Sequence, residues 1–182
     1  MGELYIVPTP IGNLGDITIR AQNILSSVDA ILCEDTRRTL KLLNHLNIKN
    51  KLISFNEHSE EKKISDIIDQ IDKKSFALVS DAGTPSVSDP GAKLIRALLE
   101  NKKRVVPLPG ASSLITAYSA SGLKKGDFLF LGFPPKKSQE IKLLLNELNH
   151  INKDIIFFES PLRVERFLQL LRNEFENSNI II

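Results

Sequence analysis

Val-Ser-Asp-Ala-Gly-Thr-Pro-Ser-Val-Ser-Asp-Pro-Gly, residues 79–91, is the stretch around which this chain is organised. An apolar run precedes it and predicts a buried strand, and apolar residues at helical spacing follow it over residues 92–99. Gly83 lets a ligand approach the main chain, and Asp89-Pro90 is predicted to cap and begin the helix. Because open α/β sheets bind ligands at the carboxyl ends of their strands, this loop is a candidate binding site. A tight turn without a ligand is the alternative that the residues leave open.

The composition indicates a folded chain with a sizeable core. Of its 182 residues 42% are hydrophobic and 25% are charged, with both signs mixed, which is not the composition of a disordered chain. The net charge of +2 does not by itself indicate a nucleic-acid partner. Most of the lysine pairs are expected to be solvated helix ends or loops; Lys136-Lys137 is the exception, because it follows Gly-Phe-Pro-Pro in a predicted loop.

Cysteine and histidine usage argues against a disulfide or metal scaffold. Cys33 is the single cysteine, which favours a reducing compartment and hence the cytoplasm. His45, His58 and His150 have no metal-ligand spacing, so we predict no structural metal. We also expect no signal peptide and no transmembrane segment, since no apolar run is long enough.

Short strands alternate with helices along the first two thirds of the chain, which predicts a largely parallel α/β sheet covered on both faces. The carboxyl ends of such strands share one edge of the sheet. Five strand-to-helix loops should therefore meet there, at residues 8–13, 34–37, 56–58, 80–89 and 109–113. In the second of these loops, Thr36 is the predicted helix cap.

A domain boundary is predicted at Lys124-Lys125-Gly126, where the strand–helix pattern restarts. It gives an N-terminal α/β domain over residues 1–123 and a C-terminal α/β domain over residues 124–182. In the second domain, Ser160-Pro161 is predicted to begin the last helix. The final residues, 179–182, are an apolar run, and we expect this domain to be truncated within its sheet.

Five motifs together carry a resemblance that spans nearly the whole chain. The chain resembles the tetrapyrrole methylase superfamily and, within it, the ribosomal small-subunit RNA 2′-O-methyltransferase I family. The motifs are Pro-Thr-Pro-Ile-Gly-Asn-Leu at 8–14, Glu-Asp-Thr-Arg at 34–37, Val-Ser-Asp-Ala-Gly-Thr-Pro at 79–85 with Ser-Asp-Pro-Gly at 88–91, Pro-Gly-Ala-Ser at 109–112, and Phe-Glu-Ser-Pro-Leu-Arg at 158–163.

The resemblance implies a class III methyltransferase that uses S-adenosylmethionine to methylate the ribose 2′-hydroxyl of a cytidine in the decoding region of 16S ribosomal RNA. It also implies two α/β domains with the cofactor between them, and a homodimer. The chain lacks the glycine-rich motifs of the common dinucleotide and nucleoside-triphosphate folds, which agrees with such a cofactor.

For the cofactor, the resemblance implies contacts from three loops. Asp81 could bind the cofactor's amino group or a ribose hydroxyl, and an Asx-turn within the loop is the alternative. The full set implied is Pro8, Thr9, Asp81, Gly83, Thr84, Ser112 and Ser113.

For the reaction, the poorly acidic ribose hydroxyl favours a positioned base. Asp35 and His58 are the candidates, with Glu34 and Glu159 as weaker ones; helix capping for Asp35 and simple solvation for His58 are the alternatives. The residues expected to contact RNA phosphates are Arg37, Arg163, Lys136 and Lys137. Each arginine is equally suited to pair with a neighbouring carboxylate.

Two other functions remain compatible with these residues. The same fold could methylate a tetrapyrrole or another small molecule. Alternatively, the chain could be a non-catalytic RNA-binding module, although the intact loop from Asp81 to Pro85 argues against a lost cofactor site.

Overall fold

The computed structural model describes residues 2–56, 60–123, 126–175 and 179–182, with the side chains of residues 60–62 excepted. The chain forms two compact units, Met1–Thr116 and Ala117–Ile182. The boundary predicted after residue 123 lies within the second of these units and stays a prediction. In the described residues, no helix combines the length and the apolar character that crossing a membrane requires.

The first unit contains a five-stranded sheet in which every pairing is parallel. Its spatial order is β3-β2-β4-β1-β5, so the strand that precedes the organising loop, β4, lies at the centre. The α/β class and the parallel sheet predicted from the sequence are confirmed. The strands are β1 (Leu4–Ile6), β2 (Ala30–Cys33), β3 (Leu52–Ser54), β4 (Phe76–Val79) and β5 (Val105–Pro107).

Helices cover both faces of this sheet. Apolar side chains of α1 and α2, such as Leu25 and Leu43, pack with Ile31 on one face. Those of α3 and α4, such as Ile67 and Leu98, pack on the opposite face. The helices are α1 (Ile19–Ser27), α2 (Thr36–His45), α3 (Glu60–Gln70) and α4 (Ala92–Glu100), and a short 3-10 turn spans Leu14–Asp16.

The second unit has a smaller core built on two parallel strands. Leu145 and Phe167, from its two long helices, are buried together against the strands. Its elements are β6 (Phe128–Phe130), α6 (Ser138–Leu148), β7 (Asp154–Ile156) and α7 (Val164–Glu174); α5 (Ser113–Ala120) spans the division between the units.

Three predicted helix starts are wrong. Helix α4 is preceded by Gly91, at φ +128°, and not by an Asp89 cap; the segment before it contains two serines with positive φ, which the Asp-Pro pattern does not anticipate. Asp35, rather than Thr36, caps α2. Helix α7 begins at Val164, since Ser160 and Arg163 first close a separate turn.

Candidate functional site

The topology around the carboxyl end of β4 in the first unit is the kind that opens a crevice. The helix that follows β4 packs on one face of the sheet, whereas the helices that follow its neighbours β1 and β2 pack on the other. Chains that leave adjacent strands toward opposite faces separate and open a crevice, which is where ligands bind in such sheets. The loops at this edge therefore form the candidate site.

The loops after β1 and β4 are joined by backbone and side-chain hydrogen bonds. Thr9 and Gly83 exchange two backbone hydrogen bonds of 2.9 Å each. The buried hydroxyl of Thr9 donates to the carbonyl of Ser80 at 3.1 Å, and the Ser80 hydroxyl donates to the carbonyl of Gly83 at 3.1 Å. Gly83 has φ +83°, a conformation that other residues rarely adopt. The Thr9 hydroxyl thus fixes the loop, and its own donor is already used.

The loop after β5 packs tightly against both of these loops. The Thr84 hydroxyl donates to the carbonyl of Ala111 at 2.9 Å. A Cβ atom added at Gly110 would lie 2.6 Å from the Cβ of Pro8, so only glycine permits this approach. Ser112 and Ser113 follow at the start of α5, where the Ser112 hydroxyl lies 3.5 Å from the amide of Ile115. Six of the seven residues predicted to hold the cofactor thus lie in loops of this one edge, and the seventh, Ser113, is the first residue of α5.

Asp81 connects the organising loop to the loop after β2. Its carboxylate accepts a hydrogen bond from the Asp35 amide at 3.2 Å and lies 3.4 Å from the guanidinium of Arg38. Arg38 was not among the residues selected from the sequence. It directly follows Arg37, the last residue of the motif at 34–37, and only the packing of α2 decides which arginine meets Asp81.

Asp35 is bound by its own helix. Its carboxylate accepts hydrogen bonds from the Arg37 amide at 2.8 Å and from the Arg37 guanidinium at 3.1 and 2.7 Å. These bonds hold the pKa of the Asp35 carboxyl well below its usual range. Asp35 is consequently ionised at neutral pH but weakly basic. Both alternatives considered for this residue, capping and pairing with an arginine, are present in the structure.

A further carboxyl group, that of Asp89, lies in the organising loop itself. Burial raises its pKa, the nearby charge of Asp81 raises it further, and a hydrogen bond with the Ser80 side chain opposes the shift. The organising loop thus places two carboxyl groups, Asp81 and Asp89, close enough to interact at the edge of the sheet. Among the described residues, no three His, Cys, Asp or Glu side chains are arranged to hold a metal ion.

The second unit has its own loops at the carboxyl ends of β6 and β7. The Arg163 guanidinium donates to the carbonyls of Pro134 and Pro135 at 3.1 and 2.9 Å and pairs with Glu159 at 3.0 Å. Lys136 is exposed, and Lys137 pairs with Glu140 at 3.2 Å at the surface. Arg163 is therefore engaged within its own unit, as the pairing alternative anticipated, and the proline carbonyls it binds carried no signal in the sequence.

The remaining predicted residue, His58, lies outside the described residues. Asn56 precedes it at the carboxyl end of β3, within the same edge of the first sheet.

Sequence comparison relates the chain to one enzyme family. The family model "Tetrapyrrole (Corrin/Porphyrin) Methylases" matches residues 3–182. Proteins named ribosomal RNA small subunit methyltransferase I are 51% identical to it in Vibrio cholerae, 49% in Streptococcus pyogenes and 50% in a Hydrogenobaculum species. These matches cover 91%, 90% and 99% of this chain. The chain spans only 58% of the length of the first two relatives and 79% of the third.

Solved structures show the same fold at low sequence identity. A diphthine synthase superposes with a TM-score of 0.74 at 15% identity, over 96% of this chain and 72% of the other. A cobalt precorrin-4 methyltransferase superposes with a TM-score of 0.69 at 17% identity, over 94% and 74%. The predicted fold type is thereby confirmed.

Proposed function

Because the chain belongs to the tetrapyrrole methylase family and, within it, to the ribosomal RNA small subunit methyltransferase I family, we propose that it methylates the ribose 2′-hydroxyl of a cytidine in the decoding region of 16S ribosomal RNA. The family membership inferred from the motifs is confirmed. The observation that supports this activity most strongly is the identity of about half of all residues with relatives of that name.

The cofactor proposed is S-adenosylmethionine, and the edge of the first sheet fits it. Gly83 and Gly110 bring main chain close to the crevice, and Asp81 and Asp89 supply carboxylates suited to an amino group, ribose hydroxyls and a positive sulfonium. When bound, the cofactor supplies a methyl group already made electrophilic by the sulfonium. The protein's own task is then to hold the reactants in line and to exclude water.

The loop network performs the positioning. Thr9, Thr84 and Pro8 hold the loops after β1, β4 and β5 in one arrangement before any ligand binds. We propose that Asp81, Gly83, Ser112 and Ser113 contact the cofactor from this fixed frame. Loops fixed in advance lose less conformational entropy on binding, which strengthens the binding of the cofactor.

Proton removal from the ribose hydroxyl is assigned to Asp35 or His58. Asp35 is ionised and can accept a hydrogen bond from the hydroxyl, but its lowered pKa makes it a weak proton acceptor. An unperturbed histidine has a pKa of about 6.5 and is better matched to neutral pH. The two residues therefore predict different pH profiles.

The RNA contacts proposed are electrostatic. Arg37, with 86% of its side chain exposed, and the exposed lysines Lys136 and Lys137 are suited to phosphates. We propose that Arg163 contributes through the loop it holds. The assembled 30S subunit as substrate, a homodimer and a cytoplasmic location complete the proposal.

The test is transfer of labelled methyl from S-adenosylmethionine to 30S subunits that lack 2′-O-methylation, followed by nuclease mapping of the label. We expect label on one cytidine ribose. His58→Ala and Asp35→Asn are compared across pH 5–9, with Asp69→Asn, exposed on α3, as the control.

Loss of activity in His58→Ala, with a parent profile that falls below about pH 6.5, assigns the base to His58. If the activity of the parent instead stays constant down to pH 5, and Asp35→Asn is inactive, the base is Asp35. Cofactor binding without transfer to RNA would instead favour a small-molecule substrate, and no cofactor binding would contradict the methyltransferase proposal.

A further inference from the structure

The loop that follows β6 presents an aromatic side chain to solvent. Phe133 is 55% exposed, although its neighbours Gly132 and Pro134 are buried. A single exposed apolar side chain is common on protein surfaces, so the significance of this ring depends on how it is held and on what surrounds it.

Hydrogen bonds and two prolines fix the backbone of this loop. The carbonyl of Gly132 accepts a hydrogen bond from the Phe158 amide at 2.8 Å, and Gly132 itself has φ +64°. The carbonyls of Pro134 and Pro135 are both bound by Arg163. Two consecutive prolines further restrict the backbone. The backbone at Phe133 is therefore held in one position.

A buried carboxylate orients the arginine that fixes the loop. The Glu159 side chain is only 6% exposed, and its two oxygens meet Arg163 at 3.0 Å and the Ser160 amide at 2.7 Å. Burying a carboxylate is costly unless it is paired. Glu159 and Arg163 are thus positioning residues for the loop.

The residues around Phe133 favour a ligand that combines a flat aromatic ring with a negative charge. One side of the ring lies against Phe158, with ring centroids 5.7 Å apart, and Phe158 packs in turn on Phe130 at 4.8 Å. Lys136 and Lys137 follow within four residues and are exposed. An exposed aromatic ring with the exposed Lys136 three residues further along the same loop is suited to an unpaired nucleotide, with the base stacked on the ring and the phosphate beside the lysine; the Lys137 ammonium pairs with Glu140.

We propose that Phe133 stacks on an unpaired base of the RNA substrate and that Lys136 binds an adjacent phosphate. This inference rests on the proposed function, since it takes RNA as the substrate. It adds a base-binding residue to a loop for which only charged contacts were expected.

The experiment measures binding of unmethylated 30S subunits by filter retention without cofactor, and S-adenosylmethionine binding by calorimetry. Phe133→Ala is expected to weaken subunit binding at least about fivefold, with an unchanged salt dependence, because stacking releases no counterions. Phe133→Trp should retain binding. Lys136→Gln should weaken binding and reduce the salt slope by about one. Leu143→Ala, which removes a similarly exposed apolar side chain from α6, is the matched control.

Four outcomes would overturn the inference. Phe133→Ala could bind subunits as tightly as the parent. It could lose cofactor affinity to the same extent, which would place the ring against the cofactor, or it could change the oligomeric state, which would place the ring in a protein interface. Finally, parent protein that binds cofactor but no subunits would contradict the RNA substrate itself, and with it this inference. Melting temperatures confirm that each variant is folded.

Discussion

The two units use their charged and polar motif residues in different ways. In the first unit, side chains such as Thr9, Thr84 and Asp81 join four loops to one another. In the second unit, a single pair, Glu159 and Arg163, holds one loop and leaves Phe133 exposed. The comparison teaches that a polar residue in a functional motif can serve the site by fixing a loop, while backbone groups and an aromatic ring are left to meet the ligand.

The first unit's loop network should be most sensitive at Gly91. Alanine there would be strained at φ +128°, and its Cβ would lie 2.5 Å from Cδ2 of the buried Leu78. We expect a loss of about 3 kcal/mol in the free energy of unfolding, from backbone strain together with overpacking. Urea denaturation measures it. Gly122→Ala, also at positive φ but with open space around it, should cost about 1 kcal/mol; equal losses would show that the contact with Leu78 is unimportant.

In the second unit, the stability contributed by the Glu159–Arg163 ion pair should depend on both of its charges. Arg163→Met removes the partner of a nearly buried carboxylate and two hydrogen bonds to the loop, and should destabilise the protein by about 2 kcal/mol. The double variant Glu159→Gln with Arg163→Met should recover part of this loss, because no unpaired charge remains. Thermal unfolding of both variants tests this; no recovery in the double variant would mean that the loop contacts, rather than the buried charge, dominate.

The hydrogen bond that joins the loops after β1 and β4 should contribute less to the free energy of unfolding, but a measurable amount. Thr9→Val keeps the side-chain shape and removes the donor to the Ser80 carbonyl, so we expect a loss of about 1 kcal/mol. Thr84→Val, at a less buried site, should cost about half as much. The comparison is made in urea at neutral pH. A larger loss for Thr84→Val would indicate that the hydrogen bond to the loop after β5 stabilises the protein more than the one between the loops after β1 and β4.

The smallest effect is expected from the charge of Asp35. Because its pKa is lowered in the folded protein, the carboxylate contributes stability above the unfolded pKa of about 4, and this is lost as the pH falls through the folded pKa. Asp35→Asn keeps a helix-capping side chain but has no titrating group. Its stability relative to the parent should thus be lowest near pH 6 and approach that of the parent in strong acid. Asp69→Asn serves as the control, and a difference that is constant with pH would contradict the assignment.

The motifs and the periodicity located most of the fold. In the first unit, the loops predicted at 8–13, 34–37, 56–58, 80–89 and 109–113 each begin within two residues of the end of a strand, because short apolar runs bounded by glycine, proline and polar residues have few other structures available. Helix starts were less predictable. At Asp89 the local preference for capping yielded to a turn in which Ser86 and Ser88 adopt positive φ, a cost that only the surrounding contacts can offset.

By itself, the sequence determined the fold class, the family and the loops that meet at one edge of the sheet, since these follow from periodicity and from motifs that are local in the chain. Tertiary structure decided which atoms of those loops remain available. It placed Arg38 on Asp81, bound Arg37 to Asp35, turned Arg163 toward its own loop and left Phe133 in solvent. The contacts of Arg38 and Arg163 join residues far apart in sequence, whose distances only chain packing sets, whereas the pairing of Arg37 with Asp35 is local and depends on the side-chain conformations adopted at the start of α2.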